Sequence, residues 1–143
     1  MLIAVDICNT LADVNEVLEK AIGHNPIPSS YYHPNLPDNY FKENLWVFAH
    51  ANPIEYSKEV LYKLSQKNKI IYITARPIEA KAITIDWMNR FGYPGGKIIF
   101  ERNKAAIAKE IGVDLAIDDA PHEIESYIRA GIGVLVKQQP YNI

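Results

Sequence analysis

The stretch LIAVDICNTL at residues 2–11 decides the fold. Its first half is apolar and β-branched at Ile3 and Val5, a pattern typical of a strand buried in a parallel sheet. The run ends on the carboxylate of Asp6, and an unpaired carboxylate inside an apolar core is energetically unfavourable. We therefore expect Asp6 at the carboxyl end of the strand, the edge at which open parallel sheets bind ligands.

Bulk composition narrows the class of protein. The 143 residues are 48% hydrophobic and 22% charged, with a formal net charge of -2. The length suits a single domain, residues 1–143, with a full hydrophobic core. The small charge gives no bulk attraction to nucleic acid or to an anionic membrane. No apolar run reaches the ~20 residues of a membrane span, and no basic region precedes the first apolar stretch, so we expect no signal peptide. The single cysteine, Cys8, fits a cytoplasmic protein.

Beyond residue 68 the chain alternates apolar strands with helices. Four strands are predicted to follow the first, at residues 69–74, 97–100, 113–117 and 132–136. This alternation predicts an α/β fold, a three-layer Rossmann-like sandwich around a parallel five-stranded sheet. Because right-handed crossovers bring the carboxyl ends of parallel strands to one edge, Asp6, Thr74, Asp118 and Asp119 should converge there.

Several helices are predicted between these strands. One should span Val14–Ile22, and a short aromatic one should span residues 40–49. A third, at about 53–66, should bury Val60, Leu61 and Leu64. The helix after Pro77 should reach about Phe91 and bury the side chains Ile78, Ala82, Ile85 and Met88. Residues 24–39 hold four prolines and form either a binding lid or a surface loop anchored by its aromatic residues.

The acidic edge points to metal-assisted phosphoryl chemistry. Gathered carboxylates repel one another unless a cation intervenes, and Mg²⁺ is the natural candidate. Thr74 could then donate to a phosphate, Lys104 could neutralise developing charge, and Asp6 could attack phosphorus to form an aspartyl-phosphate. Each residue alone also has a structural explanation, since Asp118 and Asp119 could simply cap the helix that follows.

The same residues resemble four motifs of the haloacid dehalogenase superfamily of aspartate-dependent phosphatases, in order. DICNTL at residues 6–11 resembles the first motif, Asp-x-Asp-x-Thr-Leu. The apolar strand ending at Thr74, the helix-opening Lys104 and the AIDD run at residues 116–119 match the other three. ITARP at residues 73–77 is also similar to the cytosolic 5'(3')-deoxyribonucleotidase branch.

The resemblance implies roles for the matched residues. Asp6 would be the nucleophile and a metal ligand, the backbone carbonyl of Cys8 a second ligand, and Asp118 and Asp119 would hold Mg²⁺ directly or through water. Substrate would contact a set of side chains that comprises Thr10, Thr74, Arg76 and Lys104. Arg76 could equally form a surface salt bridge. Residues 13 to about 55 would form a small helical cap over the leaving group.

One position departs from the family pattern. Cys8 stands where the phosphatases carry the second Asp, their general acid and base. A thiol has a pKa of about 8.5, which nearby carboxylates would raise, and general acid–base catalysis contributes ~10² to 10⁴ in rate. We therefore expect either a slow phosphatase or a binding protein that has lost turnover. Cys8 could also simply pack beside the strand end, with loss of acid–base function as the consequence. Dehalogenating relatives also lack this Asp but need no Mg²⁺, so the paired acids argue against dehalogenation.

The sequence therefore predicts a Mg²⁺-dependent phosphohydrolase acting on a small phosphomonoester, possible substrates including nucleotides. The alternative is a catalytically impaired phosphate- or nucleotide-binding protein. The four histidines lack the spacing of metal ligands, although His33 in the cap loop could contact substrate.

Overall fold

The structure is a computed structural model that describes residues 1–27, 31 and 34–143. Its strands are β1 (Leu2–Val5), β2 (Ala12–Asp13), β3 (Asn52–Pro53), β4 (Lys69–Thr74), β5 (Ile98–Phe100), β6 (Leu115–Asp118) and β7 (Gly133–Val136). Its helices are α1 (Val14–Ile22), α2 (Tyr40–Glu43), α3 (Trp46–His50), α4 (Ser57–Ser65), α5 (Lys81–Arg90), α6 (Lys104–Ile111) and α7 (Pro121–Arg129). A 3-10 turn, Ile78–Ala80, precedes α5. Within the described ranges, no helix is long and apolar enough to cross a bilayer.

The predicted sheet is confirmed. Five parallel strands run in the order β5-β4-β1-β6-β7, with β1 at the centre. Val5 lies opposite Tyr72 of β4 on one side and Ile117 of β6 on the other. The residues that follow these three positions therefore leave the sheet at the same edge, which places Asp6 beside Asp118.

Helices cover both faces of the sheet, because side chains alternate along each strand. Ile3, Val5 and Tyr72 pack on one face with buried residues of α1, α3, α4 and α5. Ala4 and Ile71 point to the opposite face, where they pack with α6 and α7. The result is the predicted three-layer α/β sandwich.

The buried face predicted for the helix after Pro77 is largely wrong. Ile78 is 61% exposed and Ile85 40% exposed, and Ala82 is also exposed, so only Met88 of the predicted set is buried. The 3-10 turn delays the α-helix until Lys81 and shifts its phase. Trp87 takes the buried position instead, where its indole Nε1 donates to the carbonyl of Ala51 at 2.8 Å.

The segment before β4 also differs from prediction. The expected aromatic helix is two short helices, α2 and α3, because the Asn44 side chain donates to the Tyr40 carbonyl at 2.9 Å and interrupts the first. Pro53 lies in β3, which pairs antiparallel with β2, so α4 begins only at Ser57. Val60 is 50% exposed rather than buried. Residues 28–30, 32 and 33, including His33, lie outside the described residues.

Candidate active site

Three carboxylates meet at the carboxyl edge of the sheet. Asp6 follows β1, Asp118 ends β6, and Asp119 follows it; each offers an oxygen atom, and these oxygens lie within 4.8 Å of one another. All three side chains are buried, Asp118 and Asp119 completely. Hard oxygen donors converging in this way fit a small divalent cation.

Lys104 supplies positive charge to this cluster. Its Nζ lies 2.6 Å from Asp6 Oδ1 and 2.9 Å from Asp118 Oδ2. Lys104 opens α6, whose N-terminus is capped by Asn103 through the backbone N–H of Ala106 at 3.4 Å. Burial alone would lower the pKa of Lys104, but Asp6 and Asp118 outweigh it and hold the pKa well above its ordinary value. Lys104 is therefore a permanent cation at the site.

Thr10 links two of the acids. Its hydroxyl lies 3.1 Å from Asp6 Oδ2 and 3.0 Å from Asp119 Oδ1. One hydroxyl proton can serve only one of these oxygens at a time. The turn that places Thr10 is set by Asn9, which adopts a left-handed φ of 61° and whose side chain accepts the backbone N–H of Asn15 at 2.9 Å. Asn tolerates this conformation better than most residues.

Burial raises the pKa of both acids that follow Ile117. Burial and the charge of Asp6 raise the pKa of Asp118 to about 7, although its Oδ1 accepts two backbone N–H groups. The same causes raise the pKa of Asp119 to about 9, while a hydrogen bond from the Tyr141 hydroxyl acts in the opposite direction. Without a cation the cluster therefore retains protons near neutral pH, because Lys104 alone does not offset three ionised carboxylates; a bound cation would take the place of those protons.

Arg76 is a buried residue and not a surface ion pair. Its Nε donates to Cys8 Sγ at 3.1 Å, and its Nη1 donates to Thr84 Oγ1 at 3.0 Å. The guanidinium lies over the Phe48 ring, 4.1 Å from its centroid. The third nitrogen, Nη2, is buried and has no hydrogen-bond partner among the described residues. A buried donor without a partner is unfavourable, so Nη2 has the capacity to bind an acceptor on a ligand.

Cys8 stands beside this guanidinium as a free, half-buried thiol. Burial raises its pKa, Arg76 opposes that effect, and the charge of Asp6 raises the pKa further. The net direction is upward, so the thiol stays protonated at neutral pH and cannot serve as a base.

A cavity of about 460 Å³ opens onto these groups. The predicted site residues on its wall are Asp6, Cys8, Thr74, Arg76 and Lys104. Thr10, Asp118 and Asp119 do not line the cavity. Thr10 bonds to Asp6, Asp118 bonds to Lys104, and Asp119 bonds to Thr10. The segment before β3 contributes apolar and aromatic side chains to the lining, together with the charged Asp38 and Lys42; the apolar and aromatic ones are Tyr31, Leu36, Pro37, Phe41 and Phe48.

Sequence reasoning missed several residues at this site, among them the charged lining residues Asp38, Lys42 and Arg102. His122 and Glu123 line the cavity at the start of α7, and their 3.2 Å contact raises the pKa of His122. Tyr141, far along the chain, donates to Asp119. Of His122, Glu123 and Tyr141, only His122 and Glu123 could have been predicted from their position in the sequence, because they lie close after Asp118 and Asp119. The remaining described histidines lie elsewhere: His24 pairs with Glu19 and His50 packs against Trp46.

Comparison with known proteins gives a consistent picture. Residues 4–143 match the model of the family described as 5' nucleotidase, deoxy (pyrimidine), cytosolic type C protein. A Bacillus cereus protein named "Putative nucleotidase" is 27% identical over 98% of this chain and 73% of its own length. The chain spans about half the length of two further bacterial relatives named as nucleotidases.

Solved structures share the fold. A hydrolase from Streptococcus pneumoniae has a TM-score of 0.61 at 18% identity, covering 96% of this chain and 92% of that one. A haloacid dehalogenase family enzyme from Bacteroides thetaiotaomicron, solved with magnesium and inorganic phosphate, has a TM-score of 0.57 at 12% identity, covering 96% and 94%.

Proposed function

This chain belongs to the family of cytosolic type C deoxy (pyrimidine) 5' nucleotidases, within the haloacid dehalogenase superfamily, and from that premise we propose its reaction. In this proposal the protein is a Mg²⁺-dependent phosphohydrolase that acts on a small phosphomonoester such as a nucleotide. The observation that carries this proposal is the Asp6 carboxylate on the cavity wall, joined through Lys104 and Thr10 to two further buried acids. The family description and the single cysteine support a cytoplasmic location.

The donor set fits a magnesium ion. Asp6, Asp118, Asp119 and the backbone carbonyl of Cys8 would hold it, directly or through water. When bound, Mg²⁺ would offset the carboxylate charge and stabilise the phosphate oxygens of the substrate. The convergence of three buried carboxylates supports this assignment, because Lys104 is the one Lys or Arg in ion-pair contact with these acids among the described residues.

Each residue of the site would have its own role in the reaction. The Asp6 carboxylate attacks phosphorus, so that the bond from Asp6 to phosphorus forms as the bond to the leaving oxygen breaks. Lys104 and Thr74 bind the phosphoryl oxygens, with Thr10 holding Asp6 in place. Arg76 offers the unpartnered Nη2 to a substrate oxygen. Water then attacks the aspartyl-phosphate, releasing phosphate and restoring Asp6.

Cys8 makes this reaction slow. A thiol that stays protonated does not activate water, and its raised pKa makes it a weaker general acid toward a leaving alkoxide than a carboxylic acid would be. Turnover should therefore favour leaving groups that need no proton, such as aryl oxides. For alkyl phosphates, departure of the leaving group should limit the rate. For aryl phosphates the limit should pass to the second step, attack of water on the aspartyl-phosphate, which has no assigned base.

We also propose that residues 13 to about 55 form a small cap over the cavity. The pairing of β2 with β3 joins the two ends of this segment in a short antiparallel stem. Phe41 and Phe48 from within it stack at 5.0 Å and form part of the apolar cavity wall. This wall suits the apolar face of a nucleobase or an aryl group.

The presence of Cys8 in place of an acid–base residue also favours a second function, binding without turnover. Without a general acid and base, the same pocket would bind phosphate or nucleotide in a Mg²⁺-dependent manner and release it unchanged.

One assay separates the two functions. Purified protein is incubated with nucleoside monophosphates, sugar phosphates and an aryl phosphate, with Mg²⁺ or with EDTA. We expect Mg²⁺-dependent phosphate release, greatest from the aryl phosphate and abolished in Asp6→Asn. No release from any compound, together with Mg²⁺-dependent stabilisation by a nucleotide, would favour the binding protein.

A further inference from the structure

The segment after β7, residues 137–142, lies against the acid cluster; we refer to it as the arm. Exposed residues alternate with partly buried ones along it, so that Lys137, Gln139 and Tyr141 are partly buried while Gln138 and Pro140 are exposed. This alternation indicates that one side of the arm packs on the domain.

The arm holds Asp119 at two points. The Tyr141 hydroxyl donates to Asp119 Oδ2. The Asn142 side chain donates to the backbone carbonyl of Asp119 at 2.9 Å and to the carbonyl of Lys137 at 2.8 Å. Both the carboxylate and the backbone of Asp119 are therefore fixed by residues more than 20 positions away along the chain.

The arm also bonds to the two loops that carry the other acids. Gln139 Nε2 donates to the carbonyl of Asn9 at 2.9 Å, in the turn after Asp6. The backbone N–H of Lys137 donates to the carbonyl of Asp118 at 3.0 Å. The arm thus connects the loop after β1 with the loop after β6, which together present the acid cluster.

A third contact reaches the cavity. The Tyr31 ring packs edge-on against Tyr141, with centroids 5.1 Å apart at 79°, and against His122 at 5.5 Å and 66°. Tyr31 and His122 both line the cavity. Tyr141 therefore touches an acid of the cluster with its hydroxyl and a residue of the cavity wall with its ring.

We propose that Tyr141 is a positioning residue for the cation site, acting through Asp119. By holding Oδ2, it leaves Oδ1, the oxygen next to Thr10 and Asp6, to face a bound cation. The inference rests on the proposed Mg²⁺-dependent function. Outer-shell hydrogen bonds of this kind orient metal ligands, and their loss typically weakens metal affinity by ~10- to 100-fold.

The test measures Mg²⁺ binding in the absence of substrate. Mg²⁺ is titrated calorimetrically into the wild-type protein, Tyr141→Phe, Asn142→Ala and the control Tyr56→Phe. Tyr141→Phe keeps the ring against Tyr31 and removes only the hydroxyl. Tyr56 is 69% exposed and is not among the residues that line the cavity, so its hydroxyl serves as a matched control.

We expect Tyr141→Phe to bind Mg²⁺ about tenfold more weakly, and Asn142→Ala to weaken binding in the same direction. In assays of phosphate release, saturating Mg²⁺ should restore kcat of Tyr141→Phe while the substrate KM stays at the wild-type value. The Tyr56→Phe control should match the wild type throughout.

The outcomes separate this inference from the proposed function. A Mg²⁺ affinity of Tyr141→Phe within about twofold of a binding-competent wild type would overturn the role of Tyr141 and leave the proposed function standing. Unchanged affinity in Asn142→Ala would overturn the role of the arm even if Tyr141→Phe fails to fold. No Mg²⁺ binding by the wild type would overturn the proposed function and this inference together.

Discussion

At the scale of single residues, the proposed chemistry depends on the pair formed by Cys8 and Arg76. By the family pattern, the thiol would stand at the position of the general acid and base, and the guanidinium is fixed beside it by contacts with Cys8, Thr84 and Phe48. A carboxylate at position 8 would be ionised next to this cation and could exchange protons with the leaving group and with water. We therefore expect an aspartate at position 8 to supply acid–base catalysis without a change of fold.

Replacing Cys8 with aspartate should raise activity. We expect Cys8→Asp to increase kcat toward an alkyl phosphomonoester by at least about tenfold, since general acid–base catalysis contributes ~10² to 10⁴. Cys8→Ala is the matched control and should leave kcat near the wild-type value, because the protonated thiol transfers no proton. An unchanged or lower rate in Cys8→Asp would show that Cys8 is adapted to another task.

The donor geometry of Arg76 should matter for substrate affinity. Lysine retains the charge but cannot donate to Cys8, Thr84 and a ligand from one planar group. We expect Arg76→Lys to raise KM at least about tenfold with a smaller change in kcat, measured by steady-state phosphate release. Arg90→Lys is the control, since Arg90 is exposed, lies over Phe91 and donates to the carbonyl of Ala49. Equal KM values for the two variants would refute a ligand contact by Arg76.

At the scale of secondary-structure elements, strands were easier to predict than helix faces. The strand Lys69–Thr74 is a continuous apolar run, so its position follows directly from hydrophobicity. The buried face of α5 could not be predicted in this way. A 3-10 turn precedes the helix and changes which side chains face the core, and no residue pattern in the sequence predicts that turn. The pairing of β2 with β3 joins positions about 40 residues apart, and such short strands carry no periodicity to detect.

The close approach of the turn before β5 to strand β4 can be tested by measuring the stability of two glycine variants. A Cβ added at Gly96 would lie 2.5 Å from the carbonyl oxygen of Ile70, whereas one added at Gly95 meets no atom within 4 Å. We expect Gly96→Ala to lower the free energy of unfolding by about 1–3 kcal/mol, since β4 and β5 must separate locally. Gly95→Ala should lie within about 0.5 kcal/mol of the wild type, both measured by urea denaturation. Equal stability of the two variants would contradict the close approach of this turn to β4.

At the scale of the whole molecule, four distant parts of the chain assemble one site. Sequence order and crossover handedness suffice to predict that Asp6, Thr74, Asp118 and Asp119 lie at one sheet edge. They do not predict Tyr31 or Tyr141, because the paths of the cap segment and the arm depend on tertiary packing. His122 and Glu123 reach the cavity only because α7 begins directly after the acids.

The buried acids make the stability of the molecule depend on pH and Mg²⁺ together. Folding raises the pKa of Asp118 from 3.8 to about 7, so between these values the folded state binds more protons than the unfolded state. Stability of the metal-free protein should therefore fall as pH rises through this window, whereas the Lys104 contribution stays constant because its pKa is higher still.

Melting temperatures measured from pH 4.5 to 8 with EDTA and with Mg²⁺ would check this. We expect stabilisation by Mg²⁺ to grow with pH, because protons compete with the cation for the carboxylates. Asp118→Asn should reduce this growth. A Mg²⁺ effect of the same size at every pH would show that the ion does not bind these acids.

The most direct test of the central claim is to trap phosphate on Asp6. The protein is mixed with Mg²⁺ and an aryl phosphate carrying labelled phosphorus, quenched in acid, digested and mapped. Because Cys8 cannot activate water, the aspartyl-phosphate should accumulate, with label on the peptide containing Asp6 and none in Asp6→Asn or in EDTA. Release of labelled phosphate by the wild type with no label on Asp6 at any time would contradict the account.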